Sequence, residues 1–242
     1  MRMNIEQTAK TNALVIRQKA LIENPDPRVP ICLVLDASGS MSTAAPSGKT
    51  RLEELNSGLD QFLRELLDDT NARRSAEVCI VAFSNDAELI RDFAPLTPEH
   101  LGTAIASCGG GTSLGSGLKL ALELLDRRKA EYQNAGVDYY QPWLVVITDG
   151  EPTDQTHLEA AVDITARVQG KKLSVFPIAV GEVPDLSQLA VISPSRPPIR
   201  LKGTKFGELF EWLSKSVARV SSSIPGESVP LDKKGIDAWG EL

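Results

Sequence analysis

The sequence predicts a doubly wound α/β fold: a mostly parallel sheet with helices on both faces and one antiparallel edge strand. Three observations carry that expectation. Short apolar runs alternate along the chain with stretches whose apolar residues recur at helical spacing. The runs are apolar at consecutive rather than alternate positions, as strands covered on both faces must be. Polar and glycine-rich segments follow the runs directly, where an open α/β sheet gathers its ligands.

The first run, Val29 to Leu35 (VPICLVL), predicts a buried parallel strand that ends at Asp36. A polar loop from Ser42 to Thr50 leads into Leu52, Leu55, Leu59, Phe62, Leu63, Leu66 and Leu67, spaced as one face of a helix. Glu77 to Phe83 is a second strand. Ser84-Asn85-Asp86 has turn chemistry, so Ala87 to Phe93 pairs back as the antiparallel edge. A glycine loop, Cys108 to Ser113, precedes a helix over about Leu114 to Tyr132. Trp143 to Thr148 (WLVVIT) is a third buried strand, closed by Asp149-Gly150.

His157 to Gln169 is helical with Gly170 as its stop. Leu173 to Val180 is a strand whose Pro177 suggests a place near an edge or bulge. Ile199 to Leu201 adds a small last strand, and Phe206, Leu209, Phe210, Leu213, Val217 and Val220 mark a closing helix. The domain is expected over 29–222, with a helical extension over 1–28. The segment 223–242, with its Pro and scattered charge, is expected as a disordered tail.

Composition narrows the function. A chain of 242 residues with 42% hydrophobic and 24% charged residues suits one large domain with extensions. Its net charge of −6 and dispersed Lys and Arg leave no basic footprint for nucleic acid or an anionic membrane. The three cysteines, Cys32, Cys79 and Cys108, have no metal-ligand or CxxC spacing. The first residues carry no long apolar stretch. Together these point to a reducing, cytoplasmic setting.

Three polar segments share the carboxyl edge of the expected sheet: Asp36-x-Ser38-x-Ser40, Thr112 in the glycine loop, and Asp149. Two carboxylates and three hydroxyls are hard oxygen donors with no His or Cys among them. Such a set suits Mg²⁺ or Mn²⁺, and Ca²⁺ less well. Alternate side chains at a sharp strand end can aim at one point, and Gly39 permits the tight backbone. An acidic side chain from a partner protein could complete the shell of such an ion.

These residues identify a resemblance. Asp36, Ser38, Ser40, Thr112 and Asp149 resemble, at all five signature positions, the metal-ion-dependent adhesion site (MIDAS) of the von Willebrand factor A (vWA) family, whose fold is Rossmann-like. VPICLVLDASGSM, CGGGTSLGSGL, WLVVITDGEPTD and FGELFEWLSKSV look most like the bacterial TerY-like vWA proteins associated with tellurite-resistance clusters. The resemblance implies a metal-dependent protein-binding adaptor in a stress-response or tellurite-resistance system, and not an enzyme. It implies hydroxyl ligation by Ser38, Ser40 and Thr112, with Asp36 and Asp149 binding the ion directly or through water. A kinase or PP2C-type phosphatase is the implied partner, in a set regulated by phosphorylation.

Catalytic alternatives are weaker. Gly111 to Gly115 fits GxSxG, but a glycine loop rather than a strand precedes Ser113. A Ser113–Asp149–His157 triad would share its acid with the metal set, and His100 and His157 are expected at the surface near helix starts. Gly48-Lys49-Thr50 resembles the end of a P-loop, yet Thr43 stands where its first glycine belongs. Ser38 replaces the second acid of a haloacid-dehalogenase-type DxD. A metal-assisted hydrolase would also need a base outside the metal set, and none is evident.

Overall fold

A computed structural model describes residues 19, 21–106, 109–153, 155–181, 185–227, 229–230 and 232–241. Within these, β1 (Val29–Asp36), α1 (Arg51–Asp68), α2 (Thr70–Ser75), β2 (Ala76–Phe83) and β3 (Ala87–Arg91) come first. They are followed by α3 (Leu114–Ala135), β4 (Trp143–Thr148), α4 (Thr156–Gln169) and β5 (Ser174–Val180). The described chain finishes with α5 (Ser187–Ala190), β6 (Ile199–Leu201), α6 (Phe206–Ser221), α7 (Lys233–Ile236) and β7 (Gly240–Glu241).

The strands form a single sheet in the order β3-β2-β1-β4-β5-β6-β7. β1 pairs in parallel with both β2 and β4, so the chain reverses its direction of winding at β1. Alternate residues of the buried strands then feed two cores. Ile31, Leu33, Leu35, Val145, Ile147 and Phe176 pack with α1 and α6. Cys32, Val34, Leu144, Val146 and Val175 pack with α3 and α4 on the other face. The consecutive apolar runs of the sequence are explained by this double coverage.

The structure departs from the sequence reading in four places. There are two antiparallel edges, because β7 pairs with β6 as β3 does with β2. β5 is interior despite Pro177. The neighbouring β6 pairs only with Ile178–Val180, however, leaving Pro177 opposite Val146 with no β6 partner. The helix α2 was not foreseen; Asp69 caps it by accepting from the backbone N–H groups of Asn71 and Ala72.

The fourth departure is the segment expected as a tail. Trp239 is fully buried against Trp212 at 5.5 Å between ring centroids, so the end of the sheet is covered by its own apolar plug. The indole Nε1 of Trp239 has no hydrogen-bond partner among the described residues, which marks its burial as hydrophobic rather than polar in origin. Of the expected N-terminal helix, residues 1–18 and 20 lie outside the described residues. Leu21 is buried beside Tyr132 and Val137.

At the amino edge of the strands lies a buried ionic network. Glu77, near the start of β2, receives Arg128 Nε and Nη2 at 2.7 Å each and the Tyr132 hydroxyl at 2.7 Å. Arg28 Nε stands 3.3 Å from the same carboxylate. Burial opposes the Arg128 charge, but its bonds to Glu77 hold its pKa above the usual arginine value. Arg28 goes the other way: burial lowers it, and Glu77 offsets part of that.

Candidate metal centre

The opposite, carboxyl edge has different chemistry. β1 delivers Asp36 and β4 delivers Thr148 and Asp149 side by side, at the point where winding reverses. After β1 the backbone turns into a short 3-10 helix, Gly39–Ser42, which curls Ser38 and Ser40 back over the strand ends. The Ser38 backbone N–H donates to Asp36 Oδ1 at 2.8 Å. Thr148 Oγ1 donates to the other oxygen, Asp36 Oδ2. Burial pushes the Asp36 carboxyl up, the hydrogen bonds from Ser38 and Thr148 counter this, and the Asp149 charge adds to the rise.

Ser38 Oγ and Ser40 Oγ lie 2.9 Å apart, and Ser40 Oγ donates to Asp149 Oδ1 at 2.5 Å. Four of the five residues singled out by sequence are therefore joined in one chain of contacts. Thr112 reaches the same place from the glycine loop. A Cβ built on Gly150 would stand 3.1 Å from Thr112 Oγ1 and 3.9 Å from Ser40 Oγ, so Gly150 leaves the space into which both hydroxyls project.

The loop bearing Thr112 is fixed by three bonds to two neighbouring segments. Gly111 N–H donates to Asn85 Oδ1 at 2.8 Å, Ser113 N–H to the Ser84 carbonyl at 2.6 Å, and Thr153 N–H to the Thr112 carbonyl at 3.0 Å. Gly110 adopts φ +79°, a left-handed conformation that side chains disfavour. Asn85 belongs to a segment with turn chemistry, and nothing in the spacing of Asn85 or Thr153 marks them as loop anchors.

One charged neighbour has no counterpart in the sequence reading. Arg51, the first residue of α1, places Nη1 2.7 Å from Asp149 Oδ2, with the Asp149 side chain fully buried and that of Arg51 23% exposed. Thr50 and Glu53 cap α1 reciprocally, at 3.1 and 2.7 Å, and this fixes where Arg51 starts. Thr50, which the P-loop likeness would need for a phosphate-bound ion, serves that cap.

The catalytic alternatives fare no better in space. Both Asp149 oxygens are held, by Ser40 and Arg51, and His157 is buried rather than at the surface, its Nε2 2.8 Å from Gln188 Oε1. Its position on the inner face of α4 explains that correction. His100 sits half-buried in a 3-10 turn, where Nδ1 accepts from the Thr97 N–H at 3.0 Å. Among the described residues no group of three or more His, Cys, Asp or Glu is placed to hold a metal ion; the cluster here has two carboxylates, and its other donors are hydroxyls. No helix among them is long and apolar enough to cross a membrane.

Comparisons with known proteins agree with the fold. A family model described as von Willebrand factor type A domain matches residues 31–152. Calcium-activated chloride channel regulator 1 of Macaca mulatta is 29% identical over 131 residues, which is 50% of this chain and 12% of that protein. The chain thus spans about an eighth of the curated relatives it matches. A solved von Willebrand factor type A protein from Catenulispora acidiphila superposes with a TM-score of 0.62 at 16% identity, covering 80% of this chain and 43% of the other. Proximal thread matrix protein 1 from the mussel byssus, solved with a zinc occupied MIDAS motif, gives 0.54 at 18% identity over 81% of this chain and 49% of its own. Likeness at these identities is likeness of fold.

Proposed function

Since the chain belongs to the von Willebrand factor type A domain family, we propose that it is a metal-dependent protein-binding module that acts through the carboxyl-edge cluster. Asp36, Ser38, Ser40, Thr112 and Asp149 hold one divalent cation, and the ion supplies an electrophilic corner for an acidic side chain of a partner protein. Family members commonly act as interaction modules rather than enzymes, and the reading follows them in that.

A single observation carries it: Thr112 and Ser40 face the space left by Gly150, Ser40 contacts both Ser38 and Asp149, and Asp36 is bonded to the Ser38 amide beside them. The donor set is all oxygen, which favours Mg²⁺ or Mn²⁺ over Zn²⁺. The protein's own part is to bring five side chains from three loops together before the ion arrives. The Asn85 and Thr153 bonds hold the Thr112 loop for that purpose.

The test is direct. Asp36→Ala should abolish Mg²⁺ or Mn²⁺ binding in calorimetry and abolish metal-dependent partner capture, while the protein still unfolds cooperatively. A partner retained equally well by that variant, or in EDTA, refutes the reading. The same purification decides the finer role: a kinase or PP2C-type phosphatase among the captured proteins would put the module in a phosphorylation set of the TerY-like kind.

A further inference from the structure

Arg51 stands where a helix does not want it. The positive end of a helix dipole is at the N-terminus, so a cation at the first position is unfavourable for α1 itself. Its guanidinium is nonetheless built in: Nη1 is 2.7 Å from Asp149 Oδ2, and a Cβ on Gly181 would come within 2.7 Å of Nη2 and 3.0 Å of Cζ. The absence of a side chain after β5 thus makes room for Arg51. Its ion-pair partner is a carboxylate whose other oxygen faces Ser40.

We propose that Arg51 is a resident cation that biases the cluster against a bare metal ion and toward the ion held together with an acidic ligand. This rests on the metal-dependent reading above. Without an ion, Asp36, Asp149 and Arg51 leave the cluster with a net charge of −1. A dication reverses that to +1, whereas without Arg51 the loaded cluster would be neutral. The fixed guanidinium therefore weakens the hold on a bare dication. An incoming carboxylate meets a loaded cluster of +1 instead of 0, so the guanidinium strengthens its binding, and a given carboxylate concentration then raises the apparent metal affinity further than it would without Arg51. Arg51 does not ligate the ion; it sets the price at which an anion-free ion is retained.

Calorimetric titration of MnCl₂ into the full chain, with and without sodium acetate as the simple carboxylate, tests this on wild type, Arg51→Gln and Arg51→Lys. Wild type should bind Mn²⁺ weakly alone and about tenfold more tightly with acetate. Arg51→Gln should bind Mn²⁺ alone about tenfold more tightly than wild type and lose most of the acetate effect. Arg51→Lys, which keeps the charge, should keep the coupling. If Arg51→Gln binds Mn²⁺ no better than wild type, or keeps the full acetate effect, the coupling role is overturned while the metal centre stands. If neither wild type nor Arg51→Gln binds Mn²⁺ at all, the metal centre falls and takes this inference with it. Thermal unfolding of each variant separates these outcomes from misfolding.

Discussion

Glu77 and Asp149 are both carboxylates with buried side chains, at opposite edges of the same parallel strand set, and they are satisfied in opposite ways. Glu77 takes a bidentate pair from Arg128, a tyrosine hydroxyl and the nearby Arg28, so every lone pair is met by the protein and nothing is left for a ligand. Asp149 takes one serine hydroxyl and one arginine nitrogen, and its neighbour Asp36 takes a backbone N–H and a threonine hydroxyl. Hydroxyls can turn their lone pairs to an ion, while a guanidinium fork cannot. One edge of the sheet is closed by its own charges; the other is dressed in groups that can change partner.

The largest expected effect breaks the closed edge. Glu77→Ala removes the shared carboxylate of two buried guanidinium groups, leaving Arg128 with Glu131 alone, and should cost about 3–5 kcal/mol in denaturant unfolding. Asp36→Ala, at the open edge, should change metal-free stability by no more than about 1 kcal/mol, because it also removes a carboxyl that burial disfavours. Equal losses at the two positions would erase the distinction.

A middle effect sharpens it. At about a hundred times its dissociation constant, Mg²⁺ should stabilise the protein by about 2.7 kcal/mol, roughly 5–10 °C in a thermal melt. EDTA should reverse the gain, and Asp36→Ala should show none. A shift of the same size in Asp36→Ala would move the ion to another place on the molecule.

The smallest effect asks whether ion pairing without burial is enough. Asp126 also meets cations, with Arg167 at 2.6 and 2.8 Å and Lys129 at 2.7 Å, but its side chain is 48% exposed. Arg167 chiefly holds its carboxyl down to about 2, below the ordinary 3.8. A depressed acid contributes stability above the unfolded value and loses it as pH falls toward the folded one. Asp126→Asn should therefore flatten stability between pH 4 and 2, by less than about 1 kcal/mol since water screens the pair. A larger loss would mean that exposure matters less than the contrast between Glu77 and Asp149 suggests.

Most of the fold was legible because apolar runs and helical periods are local. VPICLVL, EVCIVAF and WLVVIT announce buried strands by composition alone, and their termini carry the Asp and Ser residues of the cluster. What escaped was non-local. Arg51 sits on a helix start that looks ordinary, and only the fold brings it to Asp149, 98 residues on. His157 looked like a surface residue until the inner face of α4 was placed. Trp239, isolated in a polar stretch, gives no periodic signal; its burial depends on Trp212 and a two-residue strand that no pattern of alternation could reveal.

That plug has a consequence for the protein's lifetime. β6 is three residues long and would present bare backbone groups to solvent if β7 did not pair with it. Ile224, just after α6, is 64% exposed, so the chain at that point is open to a protease. A single cut there would let the indole leave its socket and open a sheet edge beside an apolar surface. The shortness of β6 then limits what a second chain could pair with, so the plug guards the apolar surface beneath it more than the strand edge.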